Sequence, residues 1–218
     1  MPQMRKAIYA SSDEEGRALL ARAQVVHLAM ISERGAPILR AVNAVVVGEV
    51  LAFHGAPAGE KMEGVGRLVV AGAEEVVATL PSTFLDPESA CSASTYYVSA
   101  QVEGVLEQVD DPARKARVLE ALMAKYQPEG GYARVSADDP RYAKAIAGVL
   151  VAQIRLGRVS CKAKLGQNRT RAERRRVIEK LRERGAPGDA EAARMLLLRF
   201  PELDAESPEH PASPERSG

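Results

Sequence analysis

The sequence predicts an α+β protein in which many antiparallel strands form a small closed or nearly closed barrel with peripheral helices. Three observations favour this class. Short β-branched runs alternate with turn residues, helical patterns are inserted between these runs, and two further helical patterns follow residue 165. Strands with helices inserted between them are typical of α+β barrels, here with a C-terminal helical extension.

The first 55 residues are predicted to form a helix followed by an antiparallel meander. Ser12 and Glu15 have the spacing of a capping box, so we expect a helix that ends near Gln24. Residues 48–49 fit a two-residue hairpin turn. The β-branched and apolar runs predict strands at 25–31, 38–47 and 50–54.

The middle of the chain is predicted to alternate between helices and strands. Asp111 and Pro112 open a helix, because proline is tolerated in a first helical turn. A small-residue loop at 55–59 precedes a predicted helix at 60–70. The further predictions are strand 75–80, turns at 81–94, strand 95–109, a short helix from Pro140 and a final strand at 149–159.

The C-terminal part is predicted to hold two helices, 171–184 and 189–198. After Pro201 the chain becomes acidic and rich in Pro and Ser, so it cannot bury enough apolar surface to become ordered. The predicted segments are a barrel domain of residues 1–165, a helical extension of residues 166–200 and a disordered acidic tail of residues 201–218.

Composition excludes several classes of protein. With 46% apolar and 27% charged residues, the 218-residue chain has a globular composition, and its net charge of +1 gives no bulk attraction to nucleic acid or membrane. Cys91 and Cys161 lie far apart without CxxC spacing, which argues against disulfides and a zinc site. The apolar runs are too short to cross a bilayer, and residues 1–10 lack a signal-peptide pattern. We therefore expect a cytoplasmic protein with no metal and no membrane partner.

Two segments could bind an anion. Arg40 lies in an otherwise apolar strand, where its head group must reach solvent or meet an anion; for the residue alone, solvent is favoured. The loop 55–59 lets a ligand approach the backbone, and the helix start after it offers free amides to a phosphate. Lys61 at that helix start is disfavoured by the helix dipole unless an anion is present.

Together these segments resemble a known family. The run PILRAVNAVVVGEVLAFHGAPAGEKMEGV, residues 37–65, is similar to the flavin-binding core of the pyridoxamine 5′-phosphate oxidase-like superfamily, and most of all to its nitroimidazole-resistance-like and PaiB-like branches. The likeness continues through residues 80–131 and ends with KAKLGQNR, residues 162–169, which resembles the terminal motif of FMN-binding PaiB-like regulators. It implies an antiparallel split β-barrel that binds FMN and forms a homodimer.

The resemblance also implies which residues contact FMN. Arg40 and Lys61 would hold the phosphate as forked and point charges. The other implied contacts are Val42, Asn43, Phe53, His54, Gly55, Ala56, Tyr97, Gln101, Lys164, Gln167 and Asn168. Two positions depart from the pattern, since Cys161 stands where glycine is expected and Gly166 where PaiB-like proteins carry serine.

The implied function is that of an FMN-dependent oxidoreductase, like a flavin reductase or oxidase, acting on a small organic substrate. His54 is the one candidate for a catalytic residue, as a proton donor or a group that faces the substrate. The alternative is a PaiB-like transcriptional regulator or flavin sensor. A third possibility is a relative that keeps the barrel and binds another flat cofactor or none.

The regulator alternative depends on the basic segment 162–184, which holds ten Lys or Arg against three Glu, a local charge of +7. A solvated helix face is the favoured interpretation, because glutamates at helical spacing partly neutralise the arginines. No aromatic residue lies among the basic ones, so a stacking platform for single strands is missing. Contact with nucleic acid stays open only as the alternative.

Overall fold

A computed structural model describes residues 6–204 of the chain. The helices are α1 Asp13–Arg22, α2 Pro112–Tyr126, α3 Pro140–Gly148, α4 Arg171–Arg184 and α5 Asp189–Arg199. The strands are β1 Ala10–Ser11, β2 Val26–Ile31, β3 Pro37–Val42, β4 Ala44–Val47, β5 Val50–Gly55, β6 Leu68–Leu80, β7 Ser94–Val105, β8 Glu107–Gln108, β9 Leu150–Arg155 and β10 Val159–Lys164. Short 3-10 turns lie at Ala7–Tyr9, Glu60–Gly64, Ser82–Phe84, Ala90–Ser92 and Pro201–Leu203.

The strands form two sheets. One has six strands in the order β1-β10-β7-β6-β2-β3, and the other has four in the order β4-β5-β9-β8. The strand pairs β2–β3, β2–β6, β4–β5 and β5–β9 are antiparallel. Asn43 separates β3 from β4 and is the point where the chain passes from the first sheet to the second. The predicted α+β class with antiparallel sheets and peripheral helices is confirmed.

The chain divides into two compact units. Residues 6–76 and 97–163 belong to the first, and residues 77–96 and 164–204 belong to the second. The predicted helical extension, residues 166–200, lies in the second unit.

In the first unit, α1 lies close against β10. Ser12 caps the helix, and its hydroxyl accepts a hydrogen bond from the Glu15 amide at 3.0 Å, which is the first of the two bonds of the predicted capping box. The Glu15 carboxylate accepts a hydrogen bond from the Ser11 hydroxyl. A Cβ at Gly16 would lie 2.6 Å from Cγ1 of Val159 and 3.1 Å from Cβ of Cys161. Cys161 is therefore a buried packing residue beneath α1, which accounts for a side chain where relatives are expected to have glycine.

Helix α2 covers the second sheet and holds the connection between β3 and β4. Val118 and Leu122 pack in a core with Val45, Ala52, Val109 and Val151. At the end of the helix, Nζ of Lys125 donates to the carbonyls of Ala23 and Ala44, both at 2.7 Å. These two hydrogen bonds fix the backbone next to Asn43, where the chain changes sheets.

The predicted helix at 60–70 is wrong. Only Glu60–Gly64 is helical, as a 3-10 turn, and β6 begins at Leu68 and runs for 13 residues. The predicted strand 75–80 is the end of this longer strand. Gly66, with φ of +78°, ends the turn, and the β-branched residues that follow favour a strand over a helix.

The predicted final strand at 149–159 is also wrong in its length. The strand β9 ends at Arg155, and a further strand, β10, follows from Val159 to Lys164. Val159, Cys161 and Ala163 are buried while the residues between them are half-buried. Two lysines at alternate positions made this strand hard to recognise from the sequence. In the structure their stems cover the sheet while their charges stay in water.

The second unit is built around α4 and α5, which contact each other. Thr170 and Glu173 form a complete capping box at the start of α4. Gly188, with φ of +88°, lies so close to the carbonyl of Val77 that no side chain fits there. Gly166, with φ of +75°, likewise lies close to the Tyr96 hydroxyl. A serine at residue 166 would therefore collide with the Tyr96 ring.

The C-terminal tail is described only at its start. Pro201–Leu203 forms a 3-10 turn with Leu203 buried, so these first residues of the predicted disordered tail are ordered. Residues 205–218 lie outside the described residues.

Candidate functional site

The loop that follows β5 is shaped by small residues and by Lys61. The chain turns at Gly59, with φ of +84°, and enters the turn Glu60–Gly64. Nζ of Lys61 donates a hydrogen bond to the Ala58 carbonyl at 2.7 Å. A Cβ at Gly55 would lie 2.9 Å from Cε of Lys61, so the lysine stem crosses directly over this glycine.

Arg40 reaches the same loop from β3. It lies opposite Leu28 of β2, and its guanidinium forms an ion pair with Glu60, the residue before Lys61. Nη1 of Arg40 also donates to the Leu39 carbonyl at 2.7 Å. The side chains of Arg40 and Glu60 are each 49% exposed. Arg40 therefore meets a carboxylate at the surface, that of the residue next to Lys61 in the chain.

The resulting group holds two cations and one carboxylate beside a loop of small residues. Arg40 and Lys61 have different geometries, since guanidinium presents a planar fork of donors and ammonium a compact point charge. Both cations keep access to solvent, because Arg40 is exposed and Lys61 half-buried. This arrangement is able to bind a phosphate by charge-assisted hydrogen bonds once Glu60 moves aside.

Three predicted contacts near this group have structural partners of their own. Phe53 is 2% exposed and lies between Ala44 and Ala152 in the second sheet, so its ring belongs to the core. Nδ2 of Asn43 donates to the Gln24 carbonyl at 3.2 Å. Val42 is half-buried at the end of β3. These residues support the loop after β5 and the connection from β3 to β4.

His54 lies between Phe53 and Gly55 on β5, opposite Val151. The residue is exposed as a whole, but the protein atoms around the imidazole remove part of its water and lower the pKa of His54 below its ordinary value. The imidazole is therefore neutral at neutral pH. Ala56, the next predicted contact after Gly55, is exposed in the loop.

Gln101 lies on the same sheet as Arg40 but several strands away. Its Cγ lies beside Gly72 of β6, which pairs with His27 of β2, and His27 pairs in turn with Ala41 of β3. Three strand spacings of 4.7–4.9 Å put Gln101 about 14 Å from Ala41. Within one subunit, Gln101 is thus separated from the group around Arg40.

A cleft of about 840 Å³ opens beside Gln101. Its polar lining comes from β1, β7 and the start of β10, and includes Ser11, Gln101, Glu103, Arg158 and Ser160. Tyr97, further along β7, has its ring 5.1 Å from Nζ of Lys162, which also lies 5.9 Å from the Tyr9 ring. Tyr97 therefore contacts a cation rather than the cleft.

The remaining predicted contacts belong to the second unit. Lys164 is the last residue of β10 and half-buried. Oε1 of Gln167 accepts a hydrogen bond from the Leu165 amide at 2.8 Å, and Asn168 is exposed.

The basic residues of α4 are largely engaged within the second unit. Arg174 stacks on the Phe200 ring at 4.0 Å and lies 3.8 Å from Glu202. Carboxylate or carbonyl partners are present for Arg169, Arg171, Arg174, Lys180 and Arg184. These contacts leave less free positive charge for nucleic acid than the sequence suggests.

The match to known protein families covers most of the chain. Residues 12–163 match the model of the pyridoxamine 5′-phosphate oxidase family. The chain belongs to this family. The resemblance found in residues 37–65 is thereby confirmed.

Solved structures share the fold of this pyridoxamine 5′-phosphate oxidase relative. The flavocytochrome Anf3 from Azotobacter vinelandii is 20% identical with a TM-score of 0.60, over 74% of this chain and 72% of that one. The FAD and haem binding protein from Mycobacterium smegmatis is 21% identical with a TM-score of 0.58, over 72% and 73% of the two chains. A protein named for 5-nitroimidazole antibiotic resistance from Bacteroides thetaiotaomicron is 17% identical with a TM-score of 0.54, over 73% and 85%. No curated protein matches the chain.

Residues 6–204 of this family member contain neither a metal-binding cluster nor a membrane-spanning helix. No group of three or more His, Cys, Asp and Glu side chains is arranged to hold a metal ion. In the same range, every helix is too short or too polar to cross a lipid bilayer.

The sequence predictions missed Glu60 and, apart from Gln101, the polar lining of the large cleft. Glu60 stands next to Lys61 in the sequence, and this adjacency of opposite charges was the available signal. Its pairing with Arg40 depends on where β3 meets the loop, which no local pattern records. Arg158 and Ser160 were missed because Arg158 directly precedes the unpredicted strand β10 and Ser160 lies within it.

Proposed function

We propose that the protein is an FMN-dependent oxidoreductase acting on a small organic substrate, with Arg40 and Lys61 as the anchors of the FMN phosphate. One observation carries the proposal: Arg40 of β3 pairs with Glu60, and the next residue, Lys61, bonds to Ala58 and crosses Gly55, so both cations reach the small-residue loop after β5. Bound flavin would supply the redox chemistry, and the protein would supply anchoring, orientation and exclusion of water.

The residues present fit the terminal phosphate of FMN. Each charge-assisted hydrogen bond contributes about 1.5–3 kcal/mol, so two cations are enough to favour a phosphate ligand over an uncharged one. Backbone at Ala56 and Gly59 carries no bulky side chain, so a flat ligand can approach it closely, whereas the Lys61 stem covers Gly55. The likeness in fold to an FAD and haem binding protein supports a flavin as the ligand class.

His54 is the proposed group that faces the substrate. Because the pKa of His54 is lowered, its imidazole is neutral at neutral pH and can share a proton through either ring nitrogen. It lies next to Gly55, in the loop that Lys61 crosses. In this position it would orient a substrate or pass a proton to it.

The proposal includes a homodimer. Ile31 on β2, Leu39 on β3 and Leu68 on β6 expose 55%, 58% and 64% of their surfaces on neighbouring strands of one sheet. A second copy is the proposed cover for these apolar side chains. Since Gln101 lies about 14 Å from Ala41 in its own subunit, we propose that Tyr97 and Gln101 act toward the site of the other subunit.

We propose that Val42, Asn43 and Phe53 act on the cofactor indirectly, by supporting the loop that would bind it. Lys164, Gln167 and Asn168 stay as predicted contacts from the second unit, and single alanine variants at these positions test them in the assay below.

The deciding experiment compares FMN with riboflavin, which lacks the phosphate. Purified protein is titrated with each ligand, and the visible absorption spectrum and flavin fluorescence report binding. The double variant Arg40→Ala with Lys61→Ala should bind FMN at least 100-fold more weakly, while riboflavin binding changes little, because only FMN uses the two cations. In the same series, His54→Gln should retain FMN and lose turnover.

A matched control removes two positive charges elsewhere. Arg134 and Lys144 are both exposed, so Arg134→Ala with Lys144→Ala should bind FMN like the parent. A parent protein that neither carries nor takes up flavin would falsify the cofactor assignment. Flavin binding without turnover, together with salt-sensitive DNA binding, would favour the regulator instead.

A further inference from the structure

A second, smaller cleft lies between α2 and the four-stranded sheet. Its volume is about 210 Å³. It is lined by Val47, Val50, Arg114, Arg117, Val118 and Gln153. None of these residues belongs to the proposed flavin site, so any ligand of this cleft is independent of it.

Two guanidinium groups of the cleft are not neutralised. Arg114 and Arg117 are three residues apart on α2 and therefore lie on the same side of the helix. Among residues 6–204, no carboxylate lies within 4.0 Å of either guanidinium, and the described contact of the Arg114 side chain is Nη2 to Oε1 of Gln153 at 3.2 Å. Two adjacent positive charges without a counter-charge repel each other, and an anion between them removes that repulsion.

The position of these arginines on α2 adds to the same effect. Arg114 is the third residue of the helix. The first turn contains no acidic residue, and the carboxylate at the helix start is that of the N-cap residue Asp111, whose Oδ1 accepts from the Arg114 amide at 2.7 Å. Cations are unfavourable near the positive end of a helix dipole, whereas anions are favourable there. The neighbouring Lys115 is explained without a ligand, since its Nζ donates to the carbonyls of Val149 at 2.8 Å and Ile146 at 3.3 Å.

Gln153 holds Arg114 in the cleft. Its side chain is buried, with 5% of the residue exposed, and its Nε2 donates to Oε2 of Glu107 at 3.0 Å. That bond fixes the amide so that Oε1 faces Arg114. One guanidinium is therefore held in place by a neutral partner, which leaves its charge available.

The rest of the cleft is apolar. Val118 is buried, and Val47 and Val50 are half-buried at the ends of β4 and β5. We propose that this cleft binds a small organic monocarboxylate, whose anionic group pairs with Arg114 and Arg117 and whose apolar body lies on the three valines. Inorganic anions lack the apolar body, and neutral analogues lack the charge, so both are expected to bind more weakly.

The test uses benzoate as the probe and the full chain labelled with ¹⁵N. Benzoate should cause saturable amide shifts that centre on Val47, Val50, Val118 and Gln153, with a Kd below about 1 mM, in the range of weak ligand sites. Benzamide, its neutral analogue, and inorganic phosphate should each bind at least tenfold more weakly.

Variants assign the binding to the two arginines. Arg117→Gln should weaken benzoate binding at least tenfold, and Arg117→Lys, which keeps the charge but loses the planar fork, should weaken it less. Arg134→Gln removes an exposed charge away from the cleft and should leave benzoate binding unchanged. An unchanged dispersion of the amide spectrum shows that each variant is folded.

Three results would overturn the proposal. The first is an absence of saturable shifts up to 10 mM benzoate, which is about tenfold above the expected limit. The second is equal binding of phosphate and benzoate. The third is benzoate binding that Arg117→Gln leaves intact. Since flavin is absent from every titration, none of these outcomes depends on the proposed function.

Discussion

The ion pair between Arg40 and Glu60 puts a carboxylate at the place proposed for the FMN phosphate. Both side chains are 49% exposed, so the pair stabilises the fold by only about 0–1 kcal/mol. The same carboxylate competes directly with a phosphate for the guanidinium. At this position a single side chain therefore has a small effect on folding and a larger one on ligand affinity.

Replacing Glu60 by glutamine tests this competition. Glu60→Gln should raise FMN affinity at least about fivefold, because two unit charges about 4 Å apart interact by about 1 kcal/mol even at the dielectric constant of water. Riboflavin affinity should stay the same. Fluorescence titration of both flavins measures the change, and Glu129→Gln, an exposed acid elsewhere, is the control. Equal effects on FMN and riboflavin would show that Glu60 acts on something other than the phosphate.

At the residue scale, the sequence indicated the cations of the site better than their partners. Arg40 and Lys61 are conspicuous because a charge in an apolar strand and a lysine after a small-residue loop are local signals. The ion pair with Glu60 and the separation of Gln101 from Ala41 depend on strand order, which local patterns do not contain. Whether the predicted contacts touch a flavin stays a prediction until the titrations are made.

At the scale of elements, prediction succeeded where the chain has a specific start signal. The capping residue Ser12 and the pair Asp111 and Pro112 mark real helix starts. Prediction failed where helix-forming residues and glycines occur in the same segment. Residues 60–70 hold both helix-forming residues and two glycines, and tertiary pairing turned the second half into β6.

Two glycines between α4 and α5 allow a paired test of this connection. Gly185 has φ of +61° with open space around it, whereas Gly188 has φ of +88° and lies against the Val77 carbonyl. Gly185→Ala should destabilise the protein by about 1 kcal/mol, from the left-handed backbone alone. Gly188→Ala should add a steric collision and destabilise by about 3 kcal/mol or more. Urea unfolding of both variants measures the difference, and equal losses would mean that the backbone at Gly188 relaxes freely.

At the scale of the whole molecule, the exposed apolar residues of β2, β3 and β6 need an explanation. Charged or polar side chains usually blunt the exposed parts of a sheet, yet Ile31, Leu39 and Leu68 are all more than half exposed. They lie on three consecutive strands of the six-stranded sheet, so they form one surface rather than scattered contacts. A second copy that covers this surface would also be the natural source of the Tyr97 and Gln101 contacts that a single subunit keeps away from Arg40.

A charge introduced into this surface tests the dimer. Leu39→Glu would place an unpaired carboxylate in the interface of both subunits, and burying such a charge without a partner costs several kcal/mol. We expect the dimer dissociation constant to rise at least 100-fold, measured by sedimentation velocity across micromolar concentrations. Leu198→Glu is the matched control, since Leu198 is 68% exposed on α5 in the second unit. If Leu39→Glu remains dimeric while Leu198→Glu dissociates, the interface lies on the second unit and the contacts proposed for Gln101 must be assigned anew. If Leu39→Glu dissociates and also loses FMN, the two copies complete each other's site.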